Sequence, residues 1–206
     1  MNRALVLGSS SPYRRALLNR LGLTFTVRPA DIDESPRPGE PPPDTARRLA
    51  ETKAKAVAAL SGDSLVIGSD QVAAIGDLRL QKPVDSDRAV SQLLSMRGRT
   101  VVFHTAVCVV DGASGSTLGM HCDETRVTIR SDLSEPMLRR YVVLDRPFDC
   151  AGSARVEALG IVLLERCESL DPTALIGLPM IALSRILREC GIDPLFADAL
   201  EPSLHP

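Results

Sequence analysis

The chain has 206 residues, enough for one domain of fair size or for two lobes around a shared core. Its hydrophobic fraction of 44% is ordinary for a globular protein, and its formal net charge of −2 argues against a general nucleic-acid or anionic-membrane binder. Five cysteines, at 108, 122, 150, 167 and 190, are odd in number and lack a CxxC pair, so neither a disulfide framework nor a zinc site is implied.

In chain order, Ala4–Leu7 reads as a short buried strand. A Gly/Ser turn follows, then a helix over about 12–21 with Ser11 and Pro12 at its start and Gly22 past its end. Phe25–Arg28 is a second strand, and the Pro-rich run DIDESPRPGEPPPD at 31–44 is an ordered loop. A helix is predicted from about Asp44 to Leu60, then an apolar strand over Ser64–Gly68 that ends at Ser69-Asp70-Gln71, with Val72–Ile75 continuing extended. Gly76-Asp77 marks a hairpin turn, and Asp85–Met96 a helix with Gly98 beyond it. Residues 100–110 and 121–130, joined by DGASGS, should pair as an antiparallel hairpin. A helix over Ser134–Leu144, a strand over Gly160–Glu165 and a deeply packed helix over Ile176–Cys190 complete the set, with a tail from about 192 to 206. Strands alternating with helices predict an α/β fold, and the long hairpin makes its sheet mixed. The apolar run at the N-terminus is too short for a signal peptide and no stretch is long enough to span a membrane, so a cytoplasmic protein is expected.

Three places carry candidate chemistry. The turn GSSSPYRR at 8–15 brings backbone N–H groups, hydroxyls and two arginines to the positive end of a helix, which suits an anion as well as it suits plain capping. Arg14 precedes the apolar Leu17-Leu18 pair and should lie closer to the turn than Arg15. On the second helix, Ala46, Leu49, Ala50, Ala54 and Val57 form one face, and Lys53 falls inside it, where it must snorkel or meet an anion. Asp70 stands beyond an apolar strand, where open α/β sheets bind ligands, with Lys82-Pro83 one short hairpin away and Asp33-Glu34 in the Pro-rich loop. Carboxylates beside lysines, arginines and a Gly/Ser turn meet the needs of a magnesium–polyphosphate substrate. No GxxxxGK[ST] loop, GxGxxG fingerprint or GxSxG elbow is present, and His104, His121 and His205 lack metal-ligand spacing.

SSSPYRRALL, DIDES, RLAETKA, IGSDQV, QKP, CAGSARVEALG and LIGLPMIAL occur in this order between about Ala4 and Gly191. Together they resemble the Maf family of nucleotide pyrophosphatases, and the GSDQ sequence further resembles the branch that acts on 7-methyl-GTP. The resemblance implies a single Maf/ITPase-like domain over 1–206: an elongated twisted sheet flanked by helices, in two lobes with a central cleft. It implies a homodimer, a divalent cation (magnesium or manganese), and a nucleoside triphosphate substrate cleaved between its α- and β-phosphates. Carried over residue by residue, Asp70 is the proton acceptor, Ser9, Arg14, Lys53 and Lys82 hold phosphates, and Glu34 joins Asp70 at the metal. Tyr13, Gln71 and Glu157 occupy the positions that tune base selectivity. Tyr13 stands where members of that branch carry Trp, and ARVEALG replaces a pattern closer to FKSEGFG, so the residue after Glu157 is Ala158 rather than Gly. A dTTP or UTP pyrophosphatase, and a non-catalytic nucleotide-binding regulator of cell division, are the alternatives the same resemblance allows.

Overall fold

A computed structural model describes residues 3–196. Its elements are β1 (Ala4–Leu7), α1 (Pro12–Asn19), β2 (Thr26–Val27), α2 (Pro42–Ala58), β3 (Ser64–Ile75), β4 (Leu78–Leu80) and α3 (Ser86–Met96), followed by β5 (Thr100–Asp111), β6 (Thr117–Ile129), α4 (Glu135–Asp145), β7 (Leu164–Glu168) and α5 (Met180–Glu189). The sheet runs β2-β1-β3-β5-β6-β7, with β4 paired to β3. β1 is parallel to β2 and β3, and the other pairings are antiparallel, so the sheet is mixed as expected.

The long strands β3, β5 and β6 serve two lobes. In one, Leu65, Ile67, Val107 and Val109 turn one face of the sheet toward α1 and α5, while Val66, Ala106 and Cys108 turn the other toward α2. Coverage of both faces explains why the first half of β3 is a continuous apolar run rather than an alternating one. In the other lobe, Ala73, Val101, Phe103, Val127 and Ile129 pack with Leu93 of α3 and Leu138 of α4. β3 does not end at Ser69-Asp70-Gln71 as expected, because the ladder with β5 runs on through them; Asp70 pairs with Ala106 inside it, midway between the lobes, and a cleft opens there.

Most element starts and stops follow local chemistry. α2 begins two residues before the predicted Asp44, because Pro42 and Pro43 occupy its first turn, where no N–H is required. β6 begins at Thr117 rather than 121, since the turn closes tightly as Gly115 N–H donates to Asp111 O at 2.7 Å.

Two predicted elements are corrected. The strand expected over Gly160–Glu165 is a 3₁₀ turn over Leu159–Leu163, and the strand β7 follows at Leu164–Glu168. Within GIVLL only Gly160 and Leu163 are buried, a spacing of three that matches a 3₁₀ turn and not a strand. The helix expected over Ile176–Cys190 starts at Met180 instead. Gly177 sits at φ 126°, Leu178 precedes a proline, and Pro179 offers no N–H, so helix cannot run through them. Asp171 and Thr173 cap the new start, accepting from Ile181 N at 2.7 Å and Met180 N at 3.0 Å. Ala174–Gly177 is thereby freed to form a turn at the cleft. Of the predicted tail, Ile192 packs against the core and 197–206 lie outside the described residues, as does His205. Among the described residues no helix is long and apolar enough to cross a membrane.

Candidate active site

The floor of the cleft is made where α2 crosses β3. A Cβ on Gly68 would stand 2.2 Å from Ala50 O and 2.7 Å from Ala54 N, so only glycine lets helix and strand approach this closely. Two residues on, Asp70 points to the same side of the strand, toward α2. There Lys53, buried on the apolar face of its helix, sets Nζ 2.7 Å from Asp70 Oδ1 and 2.9 Å from Glu34 Oε2. Lys53 therefore meets anions rather than snorkelling out. Burial pushes the Asp70 carboxyl up, against the opposing pull of Lys53 and Arg14. The Pro-rich loop delivers Glu34 because it is pinned at both ends of its bend. Asp33 Oδ1 accepts from Ser35 N at 2.9 Å, and Arg48 ties Ser35 O and the Glu40 carboxylate to α2. Arg48 holds that Glu40 carboxyl far below the usual range.

The opening turn forms one wall. Ser11 caps α1, accepting from Arg14 N, while its own N–H donates to Ser9 Oγ at 3.2 Å. The Arg14 guanidinium donates from Nε to Gly177 O at 2.8 Å and from Nη1 to Ser9 Oγ at 3.3 Å. Burial lowers this guanidinium's pKa while Asp70 and Glu34 raise it, and an arginine stays charged regardless. Arg15 is exposed and does not line the cavity, so Arg14 is the arginine of this pair that reaches it.

The enclosed space is about 540 Å³, within the range of small-molecule sites. Ser9, Arg14, Lys53, Lys82, Asp70 and Glu34 all line it, and so do Tyr13, Gln71 and Glu157. Ser9, Lys53 and Asp70 are buried at its base, whereas Glu34, Lys82 and Glu157 are exposed at its rim. Gln71 is already engaged: its Nε2 donates to Thr105 Oγ1, Ala174 O and Leu175 O at 3.0–3.1 Å, fixing the turn whose Gly177 carbonyl receives Arg14. Tyr13 donates its hydroxyl to Asp149 Oδ2 at 2.9 Å. Ala158 has φ −132° and donates to Arg155 O at 3.1 Å, so the turn beside Glu157 does not need the glycine it lacks.

Sequence reasoning missed Arg79 and Asp149, which line the same cavity. Arg79 donates to Glu40 O and Thr45 Oγ1, joining β4 to the start of α2. Both residues sit in short segments without periodicity, so no local pattern marks them. Among the described residues, no three His, Cys, Asp or Glu side chains converge as a metal cage. Asp70 and Glu34 do converge, with a lysine cation between them. One or two carboxylates are what magnesium takes when substrate phosphates complete its shell, so this pair fits an ion that arrives with a polyphosphate.

The chain is similar to several known proteins. A family model described as Maf-like protein matches residues 4–190. A 7-methyl-GTP pyrophosphatase of Cupriavidus metallidurans is 55% identical over 91% of this chain and 94% of its own. One of Ralstonia nicotianae is 54% identical over 96% and 100%, and one of Aromatoleum aromaticum 54% over 91% and 96%. Among solved structures, a HAM1 protein from Coxiella burnetii is similar over 65% of this chain and 76% of its own, at 15% identity and a TM-score of 0.46.

Proposed function

The chain belongs to the Maf family, and on that footing we propose that it hydrolyses 7-methyl-GTP to 7-methyl-GMP and pyrophosphate. The observation that carries the reading is the gathering of a buried Lys53–Asp70 pair, Arg14, Ser9 and a rim lysine around one cavity.

Hydrolysis of a phosphoanhydride asks for charge neutralisation and positioning more than for covalent help. Arg14, Lys53 and Lys82 supply the positive charge, and Ser9 adds a hydroxyl beside Arg14. Arg14 arrives preorganised, because Gly177 O and Ser9 Oγ already fix its guanidinium. Asp70 accepts the proton of the attacking water, and burial, which raises its carboxyl, makes it a stronger base than an ordinary aspartate. Asp70 and Glu34 would hold a divalent cation, which neutralises phosphate charge when bound. Lys53, held between the two carboxylates, would lend its charge to the phosphates bound above them.

At the other end, Tyr13 offers an aromatic face to a cationic 7-methylguanine, an attraction of about 0.5–2 kcal/mol. Glu157 accepts from the guanine N1–H and amino group, a pattern uracil and thymine lack. Gln71 acts on the base through the Ala174–Leu175 turn that it holds.

The test is pyrophosphate release by the purified protein from 7-methyl-GTP, GTP, dTTP and UTP. We expect 7-methyl-GTP to turn over fastest. Faster turnover of UTP or dTTP overturns the substrate assignment, and nucleotide binding without release replaces the enzyme by a nucleotide-binding regulator.

A further inference from the structure

The cavity is divided by charge. Around its floor, Asp70 feels Lys53, Arg14 and Glu34, and Arg14 feels Asp70 and Glu34. At the other end, the wall from the second lobe brings Asp149, Cys150 and Glu157 to the lining. The charges of Asp149 and Glu157 both reach the Cys150 thiol, which burial and these anions push up to about 12. Neighbouring residues Tyr13 and Arg14 on α1 divide between the two ends, Arg14 bonding Gly177 and Tyr13 bonding Asp149.

Resting on the reading of the site as one for 7-methyl-GTP, we infer that Asp149 determines specificity, its carboxylate reading the positive charge of the N7-methylated base stacked on Tyr13. Arg155 pairs with Asp145, with Nη2 2.6 Å from Oδ1, and its guanidinium also reaches the Tyr13 hydroxyl. Asp149 forms no ion pair among the described residues. Its Oδ2 accepts the Tyr13 hydroxyl, so the carboxylate is anchored at the edge of the ring on which the base stacks. Burial keeps that phenol protonated, and it remains a donor throughout the working range.

A ligand with a polyanion at one end and a cation at the other is what this separation of charge recognises. GTP, whose base is neutral, gains nothing from Asp149. Glu157 then distinguishes guanine from other bases, and Asp149 distinguishes the methylated base from the unmethylated one.

The experiment compares kcat/KM for 7-methyl-GTP and GTP in the unaltered protein, Asp149→Asn, Asp149→Glu and Tyr13→Phe. Asp149 is exposed and its field screened, so the Asn variant should lower the 7-methyl-GTP/GTP ratio by about fivefold. GTP turnover should stay within about twofold, which also reports an intact fold. Asp149→Glu restores most of the ratio, and Tyr13→Phe, which keeps the ring but frees the carboxylate, gives a smaller loss. A ratio unchanged in Asp149→Asn overturns the inference, and so does an equal fall for both nucleotides, which marks a structural role. If the unaltered protein prefers UTP, the substrate reading fails together with this one. If it prefers 7-methyl-GTP and only the variants behave otherwise, this inference fails alone.

Discussion

The ammonium of Lys53 stands 2.7 Å from Asp70 Oδ1, in a place both side chains reach only because Gly68 lets α2 lie against β3. The pair is buried, and Lys53 also reaches Glu34. A buried ion pair gives little net stability after desolvation, which is consistent with a pair kept for chemistry.

Asp70→Asn should reduce pyrophosphate release by about 10³-fold while nucleotide binding remains measurable by calorimetry. The substitution also tests the state of the carboxyl. A raised pKa favours the protonated form in the fold, so Asp70's stabilising contribution is complete at low pH and is lost as pH rises through its folded value. The Asn variant, which cannot ionise, should therefore gain in thermal midpoint relative to the unaltered chain over the interval that begins at about pH 4, the ordinary aspartate range. A relative loss over that interval would mean that the folded protein lowers the Asp70 pKa instead of raising it.

Lys53→Ala removes one of the two positive groups that restrain the Asp70 carboxyl. Its pKa should rise further, and the acidic limb of the kcat/KM profile should move to higher pH. An unmoved limb means that a different group titrates on that side.

Arg14→Lys keeps the charge but loses the fork that grips Gly177 O and Ser9 Oγ. We expect kcat/KM to fall by about 10²-fold, a loss of about 2.7 kcal/mol of transition-state binding. Arg15→Ala, at an exposed position, should change it by less than about threefold. Steady-state kinetics on both variants checks the assignment, and the reverse order of effects removes Arg14 from the phosphate site.

Gln71→Glu sets a carboxylate oxygen against the carbonyls of Ala174 and Leu175, which can only accept. The mismatch costs about 1–3 kcal/mol and should loosen the turn before α5. Faster amide exchange at 174–177, with KM raised alike for 7-methyl-GTP and GTP, is the expected pair of results. A base-dependent change without faster exchange assigns Gln71 a direct contact instead.

Gly68→Ala forces α2 off the strand, because the added carbon meets backbone atoms that cannot step aside. Overpacking of this kind costs about 1–3 kcal/mol or more. The thermal midpoint should fall by several degrees, and activity should fall further than stability as Lys53 leaves Asp70.

The first half of the chain was readable because its signals are local. The apolar run of β3, the prolines opening α2 and the wheel position of Lys53 each follow from neighbours within a few turns. Between 155 and 180 the same reasoning failed. GIVLL has the composition of a strand but the burial spacing of a 3₁₀ turn, and helical periodicity over 176–190 passes over the Gly177–Pro179 break. The roles of Arg79 and Asp149 depend on partners in Glu40, Thr45 and Tyr13, far along the chain, and no window of sequence contains them.

The site's floor is the middle of strands that run through both lobes, whereas Asp149 and Glu157 stand on a coil with 3₁₀ turns between α4 and β7. Part of the proposed base reader is thus carried by a piece of chain separate from Lys53 and Asp70, while Tyr13 and Gln71 stay beside Arg14 and Asp70 on α1 and β3. A graft of residues 146–160 from a relative with another substrate would exchange Asp149 and Glu157 without touching Lys53, Asp70 or the strand beneath them. Retargeting the site is in this sense loop surgery joined to changes at 13 and 71, with the core left as it is.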